Sequence, residues 1–461
     1  MDMKKWLTPA AALLLASAFV LPSAAFAESK QPKANGHITQ ATGAGVTLKG
    51  GKAANVNGFQ SVDPSHFKTK LPKDKAKKPS LSTQGITAAD YGNHDPSTAI
   101  YLDLNTLYQN TMSTAGQQDW YYFYAPDASK LTALLPAMQM VGVDYDLHLF
   151  HMNDTTGALE NEQYSAYGPG SDDQVAMVAQ PGYYFLCVNS VSGVDANNPY
   201  LFEVAQSYGY DAAEADDNLW QARSKTSDFS VLGNLDNVFD QDWVRYTPST
   251  TEYAKVTFDQ LPTGSNYVVD MFATDANGAL QSMGGLSANT AGKLALSQGT
   301  TYYFHVVSTG TVDPAANYHL QVSRQTTRIG LNTIDSDPNI TGYVNYDNGP
   351  SMYKWRVQHW MTVNGSMRDA DGQAIAGMPI TLLVNERLGQ QSANGVTDAS
   401  GNFSIYLANM NPAVGDYSWY GPVSTHYYDI IPMGLGSPIS NSNETYVTTL
   451  YHYAYSIYHP F

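Results

Sequence analysis

Cysteine and charge are both scarce in this sequence. Its 461 residues include one cysteine, Cys187, so no disulfide can form within the chain and the fold must depend on buried apolar side chains, with or without the help of a metal. Charged residues make up 14%, and with 41 acids against 24 bases the formal net charge is −17. An acidic chain repels phosphates, which argues against nucleic acid as a partner. Hydrophobic residues at 43%, together with 33 tyrosines, exclude disorder over most of the length.

Catalytic signatures are also lacking. The sequence contains neither the His-Glu-x-x-His pattern of zinc hydrolases nor the Gly-x-Ser-x-Gly turn of serine hydrolases. Cys187 lies in the apolar segment 183–188, which is typical of a buried strand and predicts a core side chain, not a nucleophile. A pair of catalytic carboxylates remains an open alternative because its members need not be close in sequence. We therefore favour a protein that is not an enzyme.

The first 27 residues predict export. Lys4 and Lys5 precede an apolar stretch from Trp6 to Leu21, and an Ala-x-Ala ending at Ala27 follows. This pattern is typical of a cleaved secretory signal peptide, so we expect the protein to be secreted. The stretch is short for a stable span, and no other run approaches ~18 apolar residues, so no membrane span is predicted.

Residues 28–86 differ in charge from the rest of the chain. They hold ten lysines and three acids, a net of +7, whereas residues 87–461 carry a net of −25. Apolar residues show no periodic pattern in this segment, which indicates a basic flexible segment or a pro-region.

From residue 87 the sequence repeats itself. Asp119-Trp120 recurs as Asp242-Trp243 at an offset of 123, and the segments 183–185 and 200–204 recur at 302–304 and 318–322. Three landmarks in the same order indicate a duplication. Each copy consists of short segments in which apolar and polar residues alternate, as in β-strands, and Gly, Asn and Asp turns separate these segments. This pattern predicts a β-sandwich.

The repeated segments resemble the bacterial pre-peptidase C-terminal domain, a jelly-roll module that often follows secreted proteases. The resemblance rests on an acidic lead-in, the Asp-Trp strand, the Tyr-Asp-Leu-His-Leu-Phe strand at 145–150 and the Gly-Tyr-Tyr-Phe strand at 182–185. It covers 87–206 and 207–325 and implies two such sandwiches.

The remaining residues, 326–461, predict a third module. Asp371-Gly372 and Ser400-Gly401 each stand between two strand-like segments, where tight turns need residues of this kind. Over about 360–410 the pattern resembles the carboxypeptidase regulatory-like fold, an immunoglobulin-like sandwich. The predicted fold class is thus all-β, with three consecutive β-sandwiches after a signal peptide and a basic segment.

Calcium is the cofactor that the sequence favours. The jelly-roll family, including the collagen-binding modules of secreted collagenases, binds calcium through a Glu-x-Asn-Asp-like lead-in and a downstream Asp pair. The second copy offers five matching carboxylates: Glu214, Asp216, Asp217, Asp240 and Asp242. Such oxygens suit calcium, which prefers six to eight oxygen ligands. Asp216 replaces the family's Asn, and Ala212 replaces an additional upstream Glu, so solvated turn acids remain the alternative.

The first copy and the third module offer weaker calcium candidates. In the first copy Asp90, Asn93 and Asp95 lead to a lone Asp119, with Gln117 in place of the second acid. Asp369-x-Asp371-Gly372 in the third module lacks the Glu that closes an EF-hand loop, so turn formation explains it better.

Aromatic residues are concentrated near the C-terminus. The candidate binding residues are Trp419, Tyr420, Tyr451, Tyr453 and Tyr455. The last three alternate, so a strand would place them on one face, where flat rings with a polar group suit sugar rings or an extended peptide. A sandwich core face is the alternative.

The sequence thus predicts a secreted, non-catalytic binding protein with calcium-stabilised sandwiches. The expected partner is an extracellular polymer, either a polysaccharide or a matrix protein, or else a secreted protease. Two alternatives stay open: a secreted hydrolase with a site that no motif reveals, and an accessory module for a secreted protease. A deep cleft with paired, desolvated carboxylates would favour the hydrolase.

Overall fold

The computed structural model describes residues 91–136, 142–226, 228–336, 343–345, 352–354, 360–386, 389–408, 426–439, 442–443 and 445–455. Within them the chain is all-β, as predicted, with a short 3-10 turn at Pro96–Thr98 besides the strands. The signal peptide at 1–27 and the basic segment at 28–86 lie outside the described residues and stay predictions. No helix in the described part of the chain is long and apolar enough to cross a membrane.

Nine strands form the first copy. They are β1 (Ile100–Tyr101), β2 (Tyr108–Asn110), β3 (Gln118–Ala125), β4 (Ser129–Leu135), β5 (Asp144–Met152), β6 (Leu159–Ser165), β7 (Asp173–Ala179), β8 (Gly182–Ser192) and β9 (Tyr200–Ser207). A five-stranded sheet has the order β1-β3-β8-β5-β6, and a four-stranded sheet has the order β2-β9-β4-β7. Side chains from both sheets share one core.

Alternation along β3 explains why this strand is central. Tyr121 and Phe123 point into the core that the two sheets share, whereas Trp120 and Tyr122 belong to a second cluster on the opposite face. Cys187 of β8 is fully buried in that second cluster, so the prediction of a buried strand with a core cysteine is confirmed. Both faces of the five-stranded sheet therefore carry buried aromatic side chains.

The second copy has the same topology as the first. Its strands are β10 (Arg223–Lys225), β11 (Phe229–Asn234), β12 (Asp242–Tyr246), β13 (Glu252–Asp259), β14 (Tyr267–Thr274), β15 (Leu280–Ser287), β16 (Thr290–Leu296), β17 (Tyr302–Ser308) and β18 (Asn317–Arg324). The sheet orders β10-β12-β17-β14-β15 and β11-β18-β13-β16 match those of the first copy strand for strand. The repeat read from the sequence thus corresponds to a repeat of topology.

The chain divides into two compact units. The first contains the described residues up to 248 together with 255–294 and 299–323, so it includes most of both copies. The second contains 249–254, 295–298 and the described residues from 324 onward. The domain boundaries and the number of separate sandwiches stay predictions.

Ten strands are seen among the described residues of the C-terminal part. They are β19 (Thr327–Ser336), β20 (Tyr343–Asn345), β21 (Met352–Lys354), β22 (Trp360–Asp369), β23 (Pro379–Glu386), β24 (Gly389–Val396), β25 (Asn402–Ala408), β26 (His426–Gly436), β27 (Ser442–Asn443) and β28 (Thr445–Tyr455). They form the sheets β25-β22-β19-β27 and β24-β23-β26-β28 and the pair β20-β21. The alternating inward residues of β22, including Met361 and Val363, contribute to a core with Leu382 of β23.

Turn chemistry at Asp369 and Gly372 is as expected. The Asp369 Oδ1 atom accepts hydrogen bonds from the backbone N–H groups of Asp371, at 3.0 Å, and Gln373, at 2.8 Å. Gly372 has φ +77°, a conformation that favours glycine. These contacts account for the acidic residue at this corner without a metal.

Candidate metal centre

Five predicted carboxylates converge at the start of the second copy. Glu214, Asp216 and Asp217 precede β10, and Asp240 and Asp242 lie just before and at the first residue of β12. Carboxylate oxygens of the first three lie within 4.8 Å of one another, and so do those of Glu214, Asp240 and Asp242. All of these side chains are buried. The acidic clusters that could hold a metal ion are therefore present.

Backbone and amide contacts hold the lead-in segment in place. The Trp243 N–H donates to the Asp216 carbonyl at 2.9 Å, which ties the segment to β12. The Asn218 Nδ2 atom donates to the carbonyl oxygens of Tyr164, at 3.0 Å, and Gln174, at 2.7 Å, in the first copy. The acids thus lie where the two copies meet.

A lysine from the first copy enters this cluster. The Lys130 Nζ atom, on β4, lies 2.5 Å from Asp240 Oδ1, 2.8 Å from Glu214 Oε1 and 3.1 Å from Asp217 Oδ2. A fourth carboxylate, that of Asp236, lies 3.5 Å away. The side chains of the lysine and all four acids are fully buried, so the ammonium has exchanged water for carboxylate oxygens.

Two further groups contact the cluster, a guanidinium that offsets one charge and a neutral hydroxyl. The Arg223 Nε atom donates to Asp216 Oδ2 at 2.7 Å, and the Tyr318 hydroxyl donates to Asp242 Oδ2 at 2.5 Å. Each contact engages one oxygen of its carboxylate and leaves the other for a different partner.

Within this cluster, three buried carboxylate oxygens have neither a hydrogen bond nor an ion pair. They are Glu214 Oε2, Asp216 Oδ1 and Asp242 Oδ1. An unpaired buried charge is costly unless a cation or a proton compensates for it. The remaining oxygens fit a hard cation, because carboxylates are its preferred ligands.

The pKa values of the clustered acids and of Lys130 reflect their burial close to one another. Burial, followed by repulsion from Asp217, raises the pKa of Glu214 to about 8. Burial and neighbouring carboxylates also raise the pKa of Asp216 and Asp217 to about 7. Burial alone would lower the pKa of Lys130, but attraction to Asp217 and Asp240 raises it well above its usual value. The lysine therefore stays protonated, whereas each buried acid is compensated either by a proton of its own or by a nearby cation.

The equivalent aspartate of the first copy needs no metal. Asp119 Oδ1 accepts from Gln117 Nε2 at 2.8 Å and lies 3.2 Å from His94 Nδ1. Its Oδ2 atom accepts from Asn110 Nδ2 at 2.9 Å and from the Tyr200 hydroxyl at 2.6 Å. Amides and a phenol thus occupy the positions around this carboxylate.

The other candidates of the first copy serve local structure. The Asn93 side chain donates to the Trp120 carbonyl at 2.9 Å, and Asp95 caps the 3-10 turn by accepting from the Ser97 N–H at 2.8 Å. Both contacts fix the chain that leads into β3.

Only part of the predicted C-terminal aromatic face lies within the described residues. Trp419 and Tyr420 lie outside the described residues. Tyr451, Tyr453 and Tyr455 occupy alternate positions of β28, which pairs with β26. A shared binding face for these residues stays a prediction.

An aromatic row that the sequence did not reveal lies on the first copy. Tyr101, Tyr122, Tyr183 and Tyr124 follow one another with ring centroids 5.4, 6.4 and 5.0 Å apart. Tyr124 is 42% exposed, and Tyr101 and Tyr183 are partly exposed. In the second copy the pair equivalent to Tyr101 and Tyr122 is Ser224 and Arg245.

A second group of acids lies in the first copy, where Asp146 and Asp173 are buried and Asp144 is partly buried. Asp144 and Asp173 line a small pocket of about 20 Å³, and Asp146 stands two residues beyond Asp144 on β5. Burial and then the charge of Asp144 raise the pKa of Asp146 to about 8. Burial, with repulsion from Asp146, also raises the pKa of Asp173 well above its usual value.

Comparison with known proteins identifies a relative in Bacillus subtilis (strain 168). The protein described as "Uncharacterized protein YlqB" is 36% identical over 132 residues, which are 28% of this chain and 79% of that protein. The chain belongs to the YlqB family. No family model matches the chain. The resemblances to the pre-peptidase C-terminal and carboxypeptidase regulatory-like domains therefore stay predictions.

Among solved structures, similarity is distant. The CUB1-EGF-CUB2 domain of human MASP-1/3 is 6% identical, covers 48% of this chain and 100% of its own, and has a TM-score of 0.17. The N-terminal CBM22 tandem of Paenibacillus barcinonensis Xyn10C is 10% identical, covers 47% of this chain and 86% of its own, and has a TM-score of 0.15. At these TM-scores neither similarity bears on function.

Three charged residues of the site were missed by the sequence reasoning. Asp236 precedes Asp240 by four residues, and its spacing could have added it to the candidate acids. Arg223 follows Asp217 by six residues, so the sequence could also have indicated it as a base close to the acids. Lys130 belongs to the other copy, and no local pattern links it to residue 214.

Proposed function

We propose that the protein is an exported, non-catalytic binding protein of the extracellular space, in which calcium stabilises the start of the second sandwich. The observation that carries the calcium proposal is the set of three buried oxygens, of Glu214, Asp216 and Asp242, that lack any partner. The proposal of export rests on the signal-like residues 1–27.

The donor set supports calcium over other metals. Every candidate ligand is a carboxylate, so soft metals that prefer thiolate or imidazole are poorly matched. Magnesium usually keeps several waters and is seldom enclosed by protein groups alone, whereas calcium accepts six to eight protein oxygens. Glu214, Asp216 and Asp242 would hold the ion through their unpaired oxygens. Asp217 and Asp240 would join them by giving up present contacts, which are with Lys130 and Gln174 for Asp217 and with Lys130 and the Asp236 N–H for Asp240. The ion would supply the positive charge that the buried acids lack.

The binding role is supported by the aromatic row of the first copy. Tyr122 is buried, but Tyr101, Tyr183 and Tyr124 are partly exposed and offer flat apolar surfaces with polar edges, which suit sugar rings or an extended peptide. Tyr124 and Tyr183 are the members whose ring centroids lie 5.0 Å apart at the exposed end of the row. The proposed ligand is an extracellular polysaccharide or matrix protein.

The secreted hydrolase remains the second candidate, because one observation favours it. Asp144 and Asp173 line a small pocket and Asp146 lies nearby on β5, and a protonated and an ionised carboxyl could act as acid and base there. Hydrolysis of a polysaccharide or peptide that depends on Asp173 would favour this candidate. The measurement is turnover by the wild type and by Asp173→Asn.

A thermal melt with and without calcium tests the main proposal. With calcium at about 100 times its dissociation constant, the folded state gains ~2.7 kcal/mol relative to a chelated sample. Binding of the same protein to collagen, chitin and cellulose then tests the ligand proposal. Equal melting midpoints in calcium and in chelator would contradict the calcium site, and failure to bind any of the three polymers would count against the ligand proposal.

A further inference from the structure

Lys130 is unusual because it is a fully buried lysine that is surrounded by acids of another copy. Its Nζ atom lies within 3.5 Å of oxygens from Glu214, Asp217, Asp236 and Asp240. Three of these four acids are also members of the candidate metal set. The ammonium and a metal ion therefore draw on the same side chains.

The excess of acids over bases in the cluster explains why the Lys130 ammonium and a metal ion can both contact carboxylate oxygens. Six buried carboxylates face two bases, so the cluster would carry a net charge of −4 if every group were ionised. The carboxylates are Glu214, Asp216, Asp217, Asp236, Asp240 and Asp242, and the bases are Lys130 and Arg223. The Glu214 side chain places Oε1 against the ammonium and leaves Oε2 unpaired. A divalent cation at the unpaired oxygens would lie close to the ammonium, and the two would repel each other across a buried site.

We propose that Lys130 is a built-in cation of this site and that its ammonium competes with calcium for the carboxylates, so that the first copy sets the calcium affinity of the second. This inference rests on the proposed calcium site. Removing the charge of Lys130 would free oxygens of Glu214, Asp217 and Asp240 and remove the repulsion. The expected result is calcium binding that is tighter by about tenfold or more.

A second lysine in a similar sequence supplies a matched control. Lys255 lies on β13, where Ala254-Lys255-Val256-Thr257 resembles the Ser129-Lys130-Leu131-Thr132 of the first copy. Its side chain is partly exposed, whereas that of Lys130 is fully buried. Lys255→Met therefore makes the same chemical change away from the cluster.

Calorimetric titration of the full chain with calcium chloride tests the inference. The samples are the wild type, Lys130→Met and Lys255→Met, each first checked for folding by circular dichroism in chelator and in calcium. Lys130→Met is expected to bind calcium about tenfold more tightly than the wild type, and Lys255→Met is expected to match it. Folding of Lys130→Met in calcium alone would also support the inference, because calcium would then replace the missing charge.

Calcium affinity of Lys130→Met equal to or below that of the wild type would overturn the inference while leaving the calcium site itself intact. Calcium binding by Lys130→Met but not by the wild type would support competition and refute the calcium-stabilised wild type. If neither protein binds calcium, both ideas fail. Should Lys130→Met not fold in either buffer, Lys130→Gln, which keeps a donor and loses the charge, is titrated and judged by the same outcomes.

Discussion

The Tyr318 hydroxyl donates a hydrogen bond of 2.5 Å to Asp242 Oδ2, and the same pair recurs in the first copy as Tyr200 and Asp119. The duplication thus preserved an aspartate at the start of the strand and a tyrosine that supports it. What changed is the group facing the other oxygen. Asp119 Oδ1 accepts a hydrogen bond from Gln117 Nε2, whereas Asp242 Oδ1 has no hydrogen-bond partner.

This difference predicts which aspartate calcium depends on. Asp242→Ala should abolish the calcium-dependent rise in melting midpoint, because it removes an oxygen that lacks any other partner. For the wild type, a gain of ~2.7 kcal/mol corresponds to roughly 5–10 °C in a domain of this size. Differential scanning calorimetry in calcium and in chelator measures the rise.

The control for this substitution is Asp119→Ala. It should lower the midpoint in both buffers by the same amount, because the Asp119 carboxylate already has amide and phenol partners. A calcium response that survives in Asp242→Ala would sink the proposed ligand set.

The pH dependence of stability should be visible at Asp146. Burial, and then the charge of Asp144, raise the pKa of Asp146 from 3.8 to about 8 in the folded state. Between these values the folded protein binds a proton that the unfolded chain has released, so the free energy of unfolding falls as pH rises through this window. Asp146→Asn has no such group, so its stability should fall less over the same range.

The measurement is the melting midpoint of both proteins from about pH 4 to about pH 9. The variant should match the wild type at the acidic end and melt a few degrees higher at the alkaline end. Asp154→Asn, at an exposed turn, is the control and should follow the wild type throughout. Parallel curves for Asp146→Asn and the wild type would show that the folded state does not hold this proton.

Local patterns made much of the fold predictable. The recurrence of Asp119-Trp120 at Asp242-Trp243 revealed the repeat, because each pair begins a central strand whose neighbours are fixed by the same topology. The five carboxylates were also predictable, since short spacings within two segments keep them close once the strands pair.

Contacts between the copies were not predictable in this way. Lys130 approaches Glu214 from a strand 84 residues earlier, and that distance depends on how two sandwiches pack. The row from Tyr101 to Tyr124 likewise joins three strands, so no single segment contains it. Periodicity indicates which face a residue occupies, but it does not indicate what covers that face.

Burial makes Cys187 a simple probe of the fold. Its side chain is fully buried, and burial raises the pKa of the thiol well above its usual value. Because the thiolate is the reactive form, the native protein should not react with a thiol reagent such as DTNB over minutes. After unfolding in guanidinium, one thiol per chain should react with the reagent. Rapid native labelling would contradict the buried position of β8.

The exposed end of the tyrosine row should carry polymer binding. Tyr124→Ala and Tyr183→Ala each remove a ring from the pair whose centroids lie 5.0 Å apart. One aromatic contact is worth about 0.5–1.5 kcal/mol, so each change should weaken binding by about 2- to 12-fold. Depletion assays on collagen, chitin and cellulose measure the loss.

Tyr208→Ala is the matched control, since Tyr208 is 61% exposed and lies outside the row. It should bind like the wild type, and all three variants should keep a similar melting midpoint because the altered rings are at least partly exposed. Weakening by Tyr208→Ala to the same extent would indicate nonspecific adsorption to the polymer. Unchanged binding by both Tyr124→Ala and Tyr183→Ala would exclude the row as the contact surface and redirect the search to the tyrosines of β28.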